Sequence, residues 1–365
     1  MSESFNVALI PGDGIGVDVT NSAVAVIDKA LECTGQSPIC FNKINAGAAY
    51  FDETGLDIET NGESLAGEAN AIFLGAIGLP SVRHDDGTEI SPHLRLRDRF
   101  QLYAGVRPVK AYPNAPQRLA DPRAAGIDLI ILRESTEGLF YSAAAHGRSE
   151  IIADKEVRDT LRITRETTEK LHRFGFRLAE RRKERGCLGR LTCVDKANVF
   201  ASMAFFRKIF DEVSEGYPDI EVGHNYVDAQ ALDLIRRPWD FDVLVMENMF
   251  GDILSDLAGG LVGGMGMAAC AEIGDHHGLF QPAHGSAPDI MGKDEANPLA
   301  AILSGALMLD YLAEKSEVDA LADAAALIEN AVTAGFSQNR IRPMEFGGDM
   351  GTKSVTNEVL SLLND

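Results

Sequence analysis

Short runs rich in Val, Ile and Leu alternate along this chain with longer stretches of helical period, and no other feature limits its fold as tightly. Asn6–Ile10 precedes Val17–Cys33, Asp128–Leu132 precedes Lys155–Phe174, Leu191–Val194 precedes Val199–Val213, and Asp242–Met246 precedes Phe250–Leu257. Ala71–Gly75 is a further apolar run. Strand-then-helix repetition puts helices over the sheet faces and predicts an α/β fold with a large, mostly parallel sheet. The tail from Pro298 to Leu363 reads as mostly helical. No internal repeat, low-complexity segment or Pro/Ser-rich linker interrupts the pattern, so the residues themselves mark no domain boundary.

Charge narrows the partners. The 365 residues carry a formal net charge of −21, so the average surface repels phosphate backbones and anionic lipid, and neither nucleic acid nor membrane is expected as a partner. An anionic substrate would have to be drawn in by a local cluster of arginines. Met1–Phe5 is short and polar and runs straight into Val7–Ile10, without the pattern of a signal peptide. The apolar stretches are broken before membrane-spanning length. Cys33, Cys40, Cys187, Cys193 and Cys270 form no C-x-x-C pair, which suits a reducing cytoplasm rather than a disulfide framework or a zinc knuckle.

The opening Ile10-Pro11-Gly12-Asp13-Gly14-Ile15-Gly16 stands between a predicted strand and a predicted helix, where a Rossmann phosphate loop would be. Val17 occupies the third position that requires glycine, and Pro11 enters the turn, so the fingerprint fails. A tight strand-to-helix turn that uses glycine backbone freedom is the simpler reading.

Arginines recur where an anion could be held. Ser91-Pro92 begins a helix, with Ser91 at the N-cap and Pro92 at the first helical position. His93 and Leu94 then share a side with Arg97, while Arg95 points the other way. Arg107 follows in Gly105-Val106-Arg107-Pro108, and Arg133 ends the strand Asp128–Leu132. Converging guanidiniums hold carboxylates by paired hydrogen bonds and could orient a diacid. Taken singly, each is more often a solvated or salt-bridged side chain.

Asp252 and Asp256 lie one helical turn apart in Phe250–Leu257, where like charges repel unless a cation joins them. Oxygen ligands suit Mg²⁺ or Mn²⁺, although Asp252 also fits a first-turn acid and Asp256 a solvated one. Asp228, after Tyr226-Val227, is a third candidate ligand. Lys196, in Val194-Asp195-Lys196-Ala197-Asn198 between a strand and a helix, could transfer protons beside a metal or arginines; alone it reads as a surface lysine. Pro282–Ile290 is too rich in Gly, Pro and small residues for a regular element. Its backbone could approach a nucleotide, and Asp289 could accept from ribose hydroxyls and repel a 2′-phosphate, favouring NAD over NADP. A structural Ω-type loop is the alternative.

These motifs, together with Leu96-Arg97, Arg133-Glu134-Ser135-Thr136-Glu137-Gly138 and Asn248–Asp256, stand in the order seen in the isocitrate/isopropylmalate dehydrogenase family, which the chain resembles over nearly its whole length. The resemblance implies the two-domain fold of that family, which is not a Rossmann fold. A discontinuous cofactor-binding domain would comprise residues 1–102 plus 263–365, and a dimerisation and catalytic domain residues 103–262. It implies a homodimer with shared active sites and NAD- and Mg²⁺- or Mn²⁺-dependent oxidative decarboxylation of a (2R)-hydroxy diacid. Arg97, Arg107 and Arg133 would bind the malate part of the substrate, Asp252 and Asp256 the metal. Lys196 and Asp228 would come from the partner subunit as proton-transfer groups, with Asp228 also a metal ligand. His284, Gly285, Ser286, Ala287, Asp289, Ile290 and Asn297 match adenosine-binding positions, and Asp289-Ile290 matches the NAD-using pattern.

Two departures stand out. Phe140 occupies the place of a family tyrosine that helps protonate the enolate, with Tyr141 one residue later. Either Tyr141 acts, in which case Tyr141→Phe lowers turnover, or water or Lys196 supplies the proton. The pocket for the C3 substituent is mixed: Ile90, His93 and Leu94 stand at positions that are aliphatic in isopropylmalate dehydrogenases, while Ser91 matches a serine used for a carboxylate in isocitrate dehydrogenases. 3-Isopropylmalate is the leading single substrate. Tartrate, D-malate or an isocitrate-like acid, and a non-catalytic regulatory subunit of the same fold, are the rivals.

Overall fold

The computed structural model describes residues 4–144 and 149–364. Twelve strands are present among them. They are β1 (Asn6–Gly12), β2 (Cys40–Lys43), β3 (Ala71–Ala76), β4 (Ala104–Lys110), β5 (Asp128–Glu134) and β6 (Glu150–Ile152). The later six are β7 (Glu156–Arg158), β8 (Arg190–Asp195), β9 (Glu221–Tyr226), β10 (Val243–Met246), β11 (Ala269–Ile273) and β12 (Gly278–Pro282).

Ten of these strands form one sheet in the order β2-β1-β3-β12-β11-β4-β5-β10-β8-β9, and β6 pairs with β7 in a separate hairpin. The expected α/β architecture is present, with a mixed sheet that is parallel except at its centre. There β12–β11, β11–β4 and β4–β5 are successive antiparallel pairs. Three reversals in a row make the two outer parallel groups run in opposite senses. One group, β2-β1-β3-β12, comes from residues 6–76 and 278–282, and the other, β5-β10-β8-β9, from residues 128–246.

The opening turn behaves as its glycines suggest. Gly12 and Gly14 have φ of 72° and 55°, and a Cβ on Gly12 would lie 1.9 Å from the Ala76 carbonyl oxygen. Only glycine allows both the left-handed backbone and that approach. The helix Gly16–Cys33 follows and buries Val19, Ala23, Val26 and Ile27.

One helix differs from its sequence reading. Lys155–Phe174 has helical period, but residues 156–158 form the second strand of the exposed hairpin and the helix is Arg165–Glu184. Its start is fixed by a cap that periodicity does not register: Thr164 Oγ1 accepts from Thr167 N, and Glu137 accepts from Thr164 N at 2.8 Å. No helix of the described residues is long and apolar enough to cross a membrane.

Candidate active site

The central seam β11–β4–β5 carries the site on one face. Side chains alternate along a strand, so Arg107 on β4, Arg133 on β5 and Glu272 on β11 reach the same side. Gly105 is opposite Arg133 in one neighbour and opposite Glu272 in the other. A Cβ on Gly105 would lie 2.6 Å from Ser135 Oγ and 3.0 Å from Glu272 Oε2. The missing side chain is what leaves room for Ser135 and Glu272 to approach each other across β4.

Arg97 enters from the helix Pro92–Arg99 and places Nη2 2.9 Å from Glu272 Oε1. Arg107 Nη2 lies 3.9 Å from the same oxygen. Arg95, on the other side of that helix, pairs with Asp57 and Glu63. Ser91 holds the N-cap position, yet its side chain makes no capping bond.

The helix Asn248–Leu261 closes the cluster from the other direction. Arg133 donates from Nε to Asn248 Oδ1 at 2.8 Å and from Nη1 to Asp252. Arg107 Nη1 donates to Ser255 Oγ at 3.1 Å and lies 3.9 Å from Asp256 Oδ1. Gly251 allows this closeness, since a Cβ there would be 2.6 Å from Arg133 Cβ.

Three guanidiniums thus face three carboxylates. Burial and the neighbouring Arg107 and Arg97 push Arg133 down to about 10. Burial alone would raise the Glu272 carboxyl, but the three guanidiniums outweigh it and hold it below its ordinary range. Asp256 is shifted up by burial and by Asp252, against the pull of Arg107. His93, one turn before Arg97, is kept neutral: burial, then Arg97 and Arg133, drop it to about 3. Its Nδ1 is buried without a hydrogen-bond partner.

Lys196 and Asp228 stand apart from this cluster. Lys196 Nζ donates to Asp228 Oδ1 at 2.5 Å, which holds the aspartate below its ordinary value. Lys196 follows β8, two strands from β5, roughly 10 Å away at the usual strand spacing. Among the described residues no three Asp, Glu, His or Cys side chains converge as a metal site, so a single chain does not bring Asp228 to Asp252 and Asp256. Those two offer hard oxygen donors on one exposed helical face, the chemistry a small divalent cation prefers.

The structure does not bring Tyr141 to the arginines. Phe140 is the residue under Arg133, with the guanidinium carbon 4.9 Å from its ring centroid, whereas Tyr141 stacks against Arg162 at 4.3 Å. Successive helical residues point about 100° apart, so the one-residue offset turns the hydroxyl away.

The Ala283–Ile290 segment leaves β12 and packs on the opening turn, with Ile15 N donating to Ser286 O at 2.8 Å. Gly14 permits the contact, since a Cβ would sit 2.0 Å from that oxygen. Ala287 is left-handed, at φ 34°. Gly285 and Asp289 are exposed and Ile290 is half-buried. Among the described residues His284 Nε2 is buried without a partner, and the Asp289 carboxylate makes no hydrogen bond or ion pair. Asn297 donates to Glu345 Oε2 at 2.8 Å. Unsatisfied donors and acceptors beside exposed backbone fit a polar, planar nucleotide.

A family model described as "Isocitrate/isopropylmalate dehydrogenase" matches residues 6–360. The chain belongs to that family. It is therefore an enzyme, an oxidative decarboxylating dehydrogenase. Relatives include the 3-isopropylmalate dehydrogenase of Aquifex aeolicus, 37% identical over 99% of this chain and 98% of that protein. The 3-isopropylmalate/3-methylmalate dehydrogenase of Methanocaldococcus jannaschii is 39% identical, covering 97% of each chain. Among solved structures, an isocitrate dehydrogenase from Methylococcus capsulatus matches with a TM-score of 0.84 and 33% identity, over 99% of this chain and 100% of that one.

Within this family member, the sequence reading missed Glu272, Gly105, Asn248 and Ser255 as parts of the site. Glu272 had a signal: a lone acid inside the apolar run Ala269–Ile273 must be paired to be buried.

Proposed function

We propose that this dehydrogenase carries out NAD-dependent, divalent-metal-dependent oxidative decarboxylation of a (2R)-hydroxy diacid of the 3-substituted malate type, with 3-isopropylmalate as the first substrate to test. The observation that carries the reading is the buried trio Arg97, Arg107 and Arg133, whose counter-charges are Glu272 and the two helix aspartates. Asp252 and Asp256 are also the carboxylates that would hold a cation, and a cation bound there would release Arg107 and Arg133 to a dianion; the protein's general negative field makes such a local basic site necessary.

Asp252 and Asp256 would hold Mg²⁺ or Mn²⁺, which supplies Lewis-acid polarisation of the substrate oxygens when bound. His284, Gly285, Ser286, Ala287, Asp289, Ile290 and Asn297 would hold NAD⁺, which would supply the hydride acceptor. Asp289 favours NAD because a free carboxylate accepts from ribose hydroxyls and repels a 2′-phosphate. Arg97, Arg107 and Arg133 fix the malate carboxylates. Lys196 relays the hydroxyl proton to Asp228 and later returns a proton to the decarboxylated carbon, the role that Phe140 cannot fill.

Separation of Lys196 and Asp228 from the arginines within one chain supports a homodimer in which a second copy supplies them, Asp228 also completing the metal ligands. We assign cofactor binding to residues 1–102 plus 263–365 and dimerisation to 103–262. The five unpaired cysteines suit a cytoplasmic setting.

His93 favours a second reading of the substrate. A neutral imidazole whose buried Nδ1 has no partner among the described residues, two positions after Ser91, whose hydroxyl makes no capping bond, suits a C3 substituent bearing oxygen, as in isocitrate or tartrate, better than a bare isopropyl group. The test is NADH formation with Mg²⁺ or Mn²⁺ against 3-isopropylmalate, isocitrate, D-malate and tartrate, with CO₂ measured in parallel. NADH and CO₂ in equal amounts are expected, and silence across the panel would remove the reading.

A further inference from the structure

The opposite face of the same seam is hollow. Val106 and Pro108 on β4, Ile130 on β5 and Ala269 and Ala271 on β11 form the floor of a cavity of about 800 Å³. The helix Arg165–Glu184 packs over β5, β8 and β10, and the helix Leu299–Ser316 over β3, β11 and β12. They form opposite walls, with Asp319–Ser337 beside the second. Arg185–Asp310, at 3.4 Å, and Arg181–Glu314 join the walls. The volume is that of a site for a drug-sized molecule.

The polar groups in this cleft are not all satisfied. Tyr112 and Tyr311 are only 7% and 8% exposed and line the cavity, yet neither hydroxyl makes a hydrogen bond among the described residues. Arg181, Arg182 and Arg185 on the same wall are paired with acids. Arg177 has no ion pair or hydrogen bond among the described residues, although it lines the cleft. Its neighbour Asp275 is already engaged by Lys170 at 3.1 Å and by Tyr103 at 3.0 Å. At the far end of β4, Lys110 sits over the Tyr112 ring, and Glu329 on the facing wall offsets its charge. Among the described residues Arg177, whose side chain is exposed at the edge of the cleft, is therefore the lining guanidinium without an acid partner.

We propose that this cleft is a second ligand site, taking a small elongated amphiphile with one anionic group. Its apolar body lies on Val106, Pro108, Ala269 and Ala271, its anion meets Arg177, and the Tyr311 hydroxyl donates to it. The site is distinct from the arginine cluster and independent of the diacid reading, since every residue used points to the other side of the sheet.

Fluorescence of 8-anilinonaphthalene-1-sulfonate, an aromatic monoanion, tests this on the whole protein, with decanoate, decanol and decylammonium as competitors. One saturable site is expected, with decanoate the strongest competitor. Arg177→Gln weakens decanoate on the order of tenfold, the scale of one charge-assisted bond, and leaves decanol unchanged. Ala322→Trp, which fills the cleft from the outer helix, abolishes binding while turnover and melting temperature stay at parental values; Leu307→Trp serves the same purpose if the first variant does not fold. Equal competition by decanoate and decanol, or binding that survives both Arg177→Gln and a cavity-filling variant, or no saturable binding at all, overturns the proposal.

Discussion

The two faces of the seam are made from the same three strands, β11, β4 and β5, yet one is crowded with charge and the other is open. On the front, Arg107, Arg133 and Glu272 are locked by Arg97 and the helix Asn248–Leu261. On the back, alanines and a proline floor a cavity walled by the helices Arg165–Glu184 and Leu299–Ser316. Alternation alone creates the difference: Cys270 and Glu272 face one way, Ala269 and Ala271 the other. Helices on a parallel sheet follow their own strands, so each half is covered by its own helices. At the antiparallel seam between the halves the two sets of helices meet without closing over the back face, and that is where the cavity lies.

If the front face is a proton-transfer and diacid site completed by a second copy, Lys196→Met gives the largest effect. Turnover should fall by about 10² to 10⁴, the usual worth of a general acid–base group, with substrate KM little changed. Steady-state kinetics decide this, and an unaltered kcat would detach Lys196 from the front face.

Glu272→Gln should be next. Removing one member of a buried ion cluster costs about 3–5 kcal/mol, read as a lower denaturation midpoint. The depressed Glu272 carboxyl also contributes stability that is full above its ordinary value of 4.5 and is lost as pH falls through the lower folded-state value. The variant should lack that acid-side loss, and identical pH–stability curves for variant and parent would contradict the electrostatic account.

Gly105→Ala is a steric test of the same face. Its Cβ would press on Ser135 Oγ and Glu272 Oε2, costing about 1–3 kcal/mol by overpacking and raising the diacid KM. An unchanged KM would mean that the placement of Glu272 does not depend on this gap. Tyr141→Phe should be the mildest, within about threefold in kcat, because a half-buried ring against the exposed Arg162 is usually worth little; a loss beyond tenfold would return the proton-donor role to Tyr141.

Much of the fold was legible because periodicity reports which face of an element is buried. The five strand signals read at the outset all correspond to strands, and the Ile10–Gly16 turn formed for the reason its glycines gave. The short strands β2, β9, β11 and β12 lacked a long apolar run, and β4 is interrupted by Gly105, Arg107 and Pro108, so none was marked. The helix start at Arg165 was missed because a tertiary cap, Glu137 on the Thr164 backbone, competes with helical period upstream of it.

For the site, residue type and local spacing identified the arginines and the Asp252/Asp256 pair, since guanidiniums and one-turn carboxylates announce their chemistry within a few residues. Spacing also put Arg97 and Arg95 on different sides of one helix. The tertiary structure decided what each meets: Arg97 joins Glu272, which is 175 residues away in the chain by subtraction of their numbers. It decided that Phe140 rather than Tyr141 lies under Arg133, that Lys196 stays with Asp228 beyond the cluster, and that the back of the seam is left open. Local pattern fixes the direction of a side chain on its own element. Which elements become neighbours, and in what register, depends on burying all of them at once, and no window of sequence contains that.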